Sequence, residues 1–516
     1  MKFVLNRLSP AIWLTFLLLF LFTACVEERL KGGATPQDIN PPMPPDYFWG
    51  LVYDDSIEIH WEMGTVQESR FNSDIAGALI VRGKEQEPQA VPYFGQRYHI
   101  GDQLGYGQVI FSGPGDTATD SDVQVGVTYY YEIFAYDDVL NYADSKLFEA
   151  TPGSLIEPRL SHVQILMPNQ TVFIAGGIGG HGPLNSGEIF YPQQQAFSRL
   201  TTTLNESRFG FSATLLQDGR ILLAGGYEEG FTKTLDSAEI FDPSDKTFTQ
   251  IKSKMNFGRA MHSATLLDDG RVFFAGGISD ANVLSSCEMF DPMLEEFVLT
   301  EKSLAHPRYS HSANLIDANL EEVVLIAGGL DGFESLSSAQ LFHPTSLIFT
   351  DGFGVEGAEI SMIKGRASHT ASLLSSGQVL LAGGYIGSMD IGDVTETAEI
   401  YDPELGGFLQ SSPMYSARSG HSSIVLDDGT VLIVAGISHN FEILNQMERF
   451  DPIANQFNAA GSLKFARTVL GASLLPDGTV LITGGNTSSD IFSPLAVSAA
   501  EIYDPIVSSS IVVGAK

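Results

Sequence analysis

The sequence predicts an all-β protein in which a propeller of seven four-stranded blades follows a β-sandwich. Three observations carry that reading. A motif of about 50 residues recurs seven times between residues 159 and 507. Each copy holds short apolar runs bounded by Gly, Asp and Pro, which are strand and turn signals. The 516-residue chain has 52 Gly and only 17% charged residues, and it lacks long polar helical patterns. Short strands in radially repeated units of four make a propeller.

The copies begin at Arg159, Arg208, Arg259, Arg308, Arg366, Arg418 and Arg467. In the third copy, His262–Leu267 reads as a first strand. Arg271–Gly277 reads as a second, apolar on both faces as a doubly covered strand is. Between them Asp269-Gly270 predicts a two-residue type I′ hairpin, and Asp218-Gly219, Asp428-Gly429 and Asp477-Gly478 repeat the signal. A Gly pair ends the second strand at 176–177, 225–226, 276–277, 328–329, 383–384 and 484–485, with Ala435-Gly436 in the sixth copy. Gly fits where a side chain would collide or φ is positive. A third strand, such as Ala238-Glu239-Ile240-Phe241, is closed by Asp-Pro, which cannot continue a ladder. An aromatic follows in the fourth strand (Phe197, Phe248, Phe297, Phe349, Phe408, Phe457), replaced by Ser510 in the seventh copy. The segment Ile511-Val512-Val513 is expected to complete the last blade. Phe148 stands at the right distance to substitute, but it reads as part of the sandwich.

This signature resembles kelch repeats in the bacterial form related to the propeller of galactose oxidase. The resemblance covers residues 159–507 and implies a seven-bladed kelch-type β-propeller over 153–516. Oxidase activity is not carried over with it. Galactose oxidase uses copper, two His, two Tyr and a thioether-linked Cys. Here Cys287 occupies a small third-strand slot, Ala238 or Ala398 in sister copies, and reads as core. No cofactor and no catalytic residue are expected.

Residues 46–152 read as one β-sandwich. Ile57, Ile59 and Trp61 share one strand face, as do Tyr129, Tyr131, Ile133 and Ala135 on another strand. The pattern resembles a fibronectin type III domain, an immunoglobulin-like sandwich. Trp61 matches the family's core Trp and Tyr129 its tyrosine corner. The resemblance implies a spacer without chemistry of its own.

Residues 1–24 read as a secretory signal. Lys2 and Arg7 precede an apolar run, Ala11 to Ala24, too short for a membrane-spanning helix. Leu21-Phe22-Thr23-Ala24-Cys25 resembles a bacterial lipoprotein box, with Phe22 departing from the usual Leu. The resemblance implies acylation of Cys25, a lipid anchor in the cell envelope and, because Val26 follows, the outer membrane or cell surface of a Gram-negative host. Residues 25–45 form a Pro- and Gly-containing linker.

Lys and Arg total 28 against 62 Asp and Glu, a formal charge of −34. Such a surface repels nucleic acid and anionic headgroups, and it tolerates basic partners and weakly bound divalent cations. His162, His262, His311, His369 and His421 occupy one repeat position, filled by Phe211 and Leu470 in the other copies. A metal would require the rings to converge, and Phe and Leu in the same slot argue for packing instead. The seven Arg are expected to tie each blade to its neighbour through third-strand Glu188, Glu239, Glu288, Glu399, Glu448 and Glu501.

Unrepeated segments are where ligand contacts are expected. They are the fifth copy's acidic loop with Asp390, Asp393 and Glu396, the seventh copy's loop with Asp490, and the insertion 350–365. The acidic loop lacks EF-hand spacing, and no P-loop, GxSxG or HExxH motif occurs. The sequence therefore points to a non-catalytic module for binding, adhesion or scaffolding with a protein or glycan ligand. A carbohydrate-active enzyme with a pocket at the propeller axis and a purely structural envelope protein are the alternatives.

Overall fold

The computed structural model describes residues 41–53, 56–63, 75–125, 127–229, 232–280, 282–318, 321–351, 359–388, 393–489 and 494–513. Cys25, Asp390, Asp490, the leader, most of the linker and the middle of the 350–365 insertion lie outside the described residues.

Two N-terminal sheets pack face to face. One joins Tyr47–Val52, Ile57–Glu62 and Thr117–Asp120. The other joins Gln103–Leu104, Gly107–Gly113, Ile75–Lys84, Tyr129–Asp137 and Lys146–Ala150. Their inward residues, Ile57, Ile59 and Trp61 against Ile80, Tyr131, Ile133 and Phe148, form a single core. The Tyr129 hydroxyl accepts the Gln124 N–H at 3.0 Å, tying down the turn five residues upstream.

Seven antiparallel sheets follow among the described residues, six of four strands and the fourth with a fifth, Ile360–Ser361, paired to Ser338–His343. The first contains Val163–Leu166, Val172–Ala175, Gly187–Tyr191 and Ala196–Arg199. The seventh contains Gly471–Leu474, Val480–Thr483, Ala500–Asp504 and Ser509–Val512. First strands of successive sheets lie side by side, and Gly471–Leu474 lies beside Val163–Leu166. The last strand pairs with its own sheet, placing Ser510 opposite Tyr503. Apolar layers fill the space between sheets; Phe173 of the first stacks on Phe241 of the second at 4.4 Å. Within sheets the strand-four aromatics face the third strand, as in Phe190–Phe197 at 4.8 Å and Phe290–Phe297 at 4.7 Å.

The Asp-Gly turns differ from the type I′ expectation, which needs positive φ at both residues. Only the Gly is left-handed, with φ of +88° at both Gly219 and Gly270. The Gly219 N–H donates to the Leu216 carbonyl at 3.0 Å and the Leu216 N–H to the Arg220 carbonyl at 2.8 Å. This is a longer loop with a glycine bulge. The Asp serves as a side-chain acceptor: Asp218 and Asp269 each take the N–H two residues on at 3.0 Å.

The Arg side chains also depart from expectation. They meet the third-strand acids, but those of their own repeat, at 2.5–2.9 Å in six copies. Each guanidinium also donates to the carbonyl at the start of its own Gly pair, or to Ala435, at 2.7–3.0 Å. The link between repeats is made by the Arg backbone. Its carbonyl accepts the N–H of the second Gly of the preceding repeat at 2.8–3.0 Å, and the Gly485-to-Arg159 bond joins the seventh copy to the first. All seven Arg are fully buried.

The fourth repeat has Gln340 where the others have Glu. Glu359, from the insertion, approaches Arg308 at 3.5 Å instead. Burial pushes the Arg308 guanidinium down to about 10, partly offset by Glu359.

Removing one member of a buried ion pair strands the other in low dielectric and costs about 3–5 kcal/mol. Arg259→Met is expected to destabilise the chain by that order in denaturant unfolding. Glu288→Gln should cost a comparable amount, because it strands the Arg259 charge and the third repeat has no counterpart of the Glu359 that serves Arg308. A loss near zero in either variant would contradict this account of the pair.

Candidate functional site

The repeated His lie at the joints between sheets. Each Nε2 meets a hydroxyl of the preceding repeat at 2.8–3.0 Å: His262 with Ser212, His311 with Ser263, His369 with Ser312 and His421 with Thr370. His162 has no such hydroxyl available, because Gly471 occupies the slot, and it reaches Thr483 at 2.9 Å instead. Burial, reinforced by the adjacent Arg, drives His162, His262, His369 and His421 down to about 3 and His311 well below its usual value. The rings are neutral spacers at physiological pH. Among the described residues no group of three or more His, Cys, Asp or Glu is placed to hold a metal ion.

Two residues after each Arg, the chain turns through left-handed backbone at Ser161, Gly210, Met261, Ser310, Ser368, Gly420 and Val469. Several of these link head to tail: Met261 N–H donates to Gly210, Ser310 to Met261, Ser368 to Ser310 and Ser161 to Val469, at 2.8–3.0 Å. This inner turn carries no ionisable side chain. A copper site of the galactose oxidase kind does not fit here. Cys287 is packed among Met289, Phe342 and Phe349, and burial raises its thiol to about 12.

The loops between second and third strands and the connectors between repeats share one end of the sheets, because the strands alternate in direction. Neighbouring loops are stitched together. Thr234 donates to Asp280, Ser335 and Gly387 exchange bonds at 2.9 Å, and the His439 ring meets Asp393 at 2.7 Å. The His439 hydrogen bond and the Val394 N–H hold Asp393 below its ordinary value. Glu396 flanks the same loop, and its backbone carbonyl accepts the Met414 N–H at 2.9 Å. Phe257, Phe333, Tyr415 and Phe441 are exposed at this end, Phe333 and Tyr415 by about 70%. The opposite end exposes Met293 with Leu294, Leu405, Ile453, and Ile506 with Val507, in the separate turns that follow Asp-Pro, a scatter that needs no ligand.

Sequence reasoning located the acidic loop but missed His439 and the four aromatics. They fall at unrepeated positions, where no sister copy marks them as non-structural.

The second repeat, residues 208–255, matches the Kelch motif. No curated protein sequence matches the chain. A solved structure of YjhT is similar over 59% of this chain and 98% of its own, at 14% identity and a TM-score of 0.46. A novel fungal alcohol oxidase of the AA5 family, solved in complex with copper, is similar over 66% of this chain and 73% of its own. That match has 16% identity and a TM-score of 0.51. The motif and the second likeness support a kelch-type β-propeller fold. The copper belongs to that oxidase.

A His neutral in the fold but titrating near 6.5 when unfolded takes up a proton only on unfolding. Its contribution is complete above about pH 6.5 and is lost as pH falls toward 3, at up to about 1.4 kcal/mol per pH unit for each ring. His262→Phe, which copies Phe211, is expected to reduce the pH dependence of unfolding free energy between pH 6 and 4 by one proton. An unchanged slope would show that the ring is not the titrating group.

Proposed function

We propose that this chain is an envelope-anchored, non-catalytic binding module. Its propeller is a closed ring of seven kelch-type blades, carried by a fibronectin type III-like spacer over residues 46–152. An acylated Cys25 holds it to the membrane, at the outer membrane or cell surface of a Gram-negative host. The loop-bearing end faces a protein or glycan ligand and serves adhesion or scaffolding.

One observation carries the reading. The repeated ionisable groups are spent on each other, whereas the loop end combines exposed Phe257, Phe333, Tyr415 and Phe441 with the Asp393–His439 pair. Exposed aromatics beside fixed polar groups are what recognition surfaces present. The net charge of −34 turns such a surface away from nucleic acid and favours basic or neutral ligands.

Two measurements test this. Mass spectrometry of the mature N-terminus is expected to find acyl groups on Cys25, and Cys25→Ser should release the protein from the membrane fraction. A screen of the full chain in detergent against glycans and envelope proteins should yield a ligand. Its binding should weaken about tenfold or more in the Phe333→Ala/Phe441→Ala double variant, with unfolding unchanged. An unmodified N-terminus would remove the anchor. Stoichiometric copper or turnover of a sugar would replace the binding reading with an enzymatic one.

A further inference from the structure

The N-terminal sheets dock on the first and seventh repeats. The Val52 N–H donates to the Ile156 carbonyl at 2.7 Å, Thr151 N–H to the Ser498 hydroxyl at 2.8 Å, and Leu155 N–H to the Ser498 carbonyl at 3.0 Å. Trp49 stands against His181 with ring centroids 5.0 Å apart, and a Cβ on Gly180 would come within 2.6 Å of the Trp49 Cβ. Beside this contact the two bodies leave a cleft of 810 Å³. Cavities of this size accommodate small organic ligands.

The cleft contains a group that the fold leaves unsatisfied. Glu149 sits on the last strand of the sandwich, with only 1% of its surface exposed, and its Oε1 has no hydrogen-bond partner. Its strand neighbours Phe148 and Ala150 enter the sandwich core, so Glu149 points the other way, toward the repeats. Tyr130 is directly opposite on the adjacent strand and lines the same cleft. Burial, only partly offset by Arg467, raises Glu149 to about 7, with Glu87 and Glu501 adding to the rise. Arg467 does not neutralise it, since that guanidinium is bound to Glu501 at 2.7 Å. An unpaired buried carboxylate is costly, so its presence in a built cavity calls for a donor from outside.

The rest of the lining indicates which donor. Glu149 and Glu87 are balanced by Lys146 and Lys464, so the cleft has no formal charge preference. Tyr130, Ser145, Thr487, Ser488 and Ser489 contribute hydroxyls. The rings of Phe465 and Tyr130 supply apolar surface, while the Phe48 ring is turned into the sandwich core. Hydroxyls in both hydrogen-bonding roles, a carboxylate acceptor and apolar rings together match a neutral, many-hydroxyl ligand with apolar ring faces.

We infer that the cleft between the N-terminal sandwich and the first and seventh repeats is a binding site for a neutral saccharide, with Glu149 accepting from sugar hydroxyls and Tyr130 beside it. The inference rests on the binding reading above and gives it a ligand class and a second place on the molecule.

Calorimetric titration of the full chain in detergent tests it, with maltotriose, cellotriose and mannotriose as probes and spermidine as a cationic control. At least one trisaccharide should bind. Glu149→Gln removes the acceptor charge while keeping its shape, and Ser145→Trp fills the cleft from an exposed position. Each should weaken binding about tenfold or more without lowering the unfolding temperature. Met293→Ala/Ile453→Ala, at the opposite end of the sheets, should leave this binding unchanged. Failure of all three trisaccharides to bind, or binding of spermidine alone, would overturn the saccharide assignment. A trisaccharide held equally well by both cleft variants but lost in the loop-end variant would remove the cleft and leave the wider binding reading standing.

Discussion

The architecture depends on seven buried arginines, each serving two repeats at once. The side chain closes its own repeat by binding the third-strand acid and the carbonyl at the Gly pair. The backbone carbonyl captures the preceding repeat. A buried guanidinium is tolerable only when its donors are met and its charge is paired. That condition fixes the Glu, the sharp turn at the Gly pair and the approach of the next chain segment together. The fourth repeat shows how tight the requirement is. Where Gln340 replaces the acid, an inserted segment returns a carboxylate, Glu359, to the neighbourhood of Arg308.

The glycines and histidines follow from the same joint. A Cβ on Gly225 would meet the Arg259 carbonyl at 2.3 Å and the His262 ring at 3.0 Å. The left-handed φ of +66° there also disfavours any other residue. The imidazole lies over the vacated space and bonds a hydroxyl one repeat back. Phe211 fills the same space by size alone, so the slot selects for volume first and for the hydrogen bond second. Residues that resemble an active-site set when met singly are thereby spent on cohesion. Recognition is left to positions outside the repeat: the stitched loops with their exposed aromatics and the walls of the docking cleft.

Much of this was legible in the sequence because repetition is its own control. Seven aligned copies separate what every sheet needs from what one sheet adds. They located the strands and the Gly pairs and matched Arg with Glu by residue type, but not the fact that each pair closes within its own repeat. Local turn geometry was less legible. Asp-Gly is compatible with several hairpin loops, and the choice here came from the Asp carboxylate binding a backbone N–H two residues on rather than from a left-handed Asp.

The sequence by itself determined the periodic parts, since period, alternation and turn chemistry are local properties of the chain. Tertiary structure alone decided where two bodies meet. The strand Lys146–Ala150 alternates, placing Phe148 in the sandwich core and Glu149 on its outward face. Docking of the seventh repeat over that face took Glu149 out of water without giving it a partner. No pattern within the strand encodes that event, because the burial comes from residues more than three hundred positions away, such as Lys464 and Phe465. The same holds for Asp393 and His439, which become neighbours only because two unrelated loops emerge at the same end of adjacent sheets.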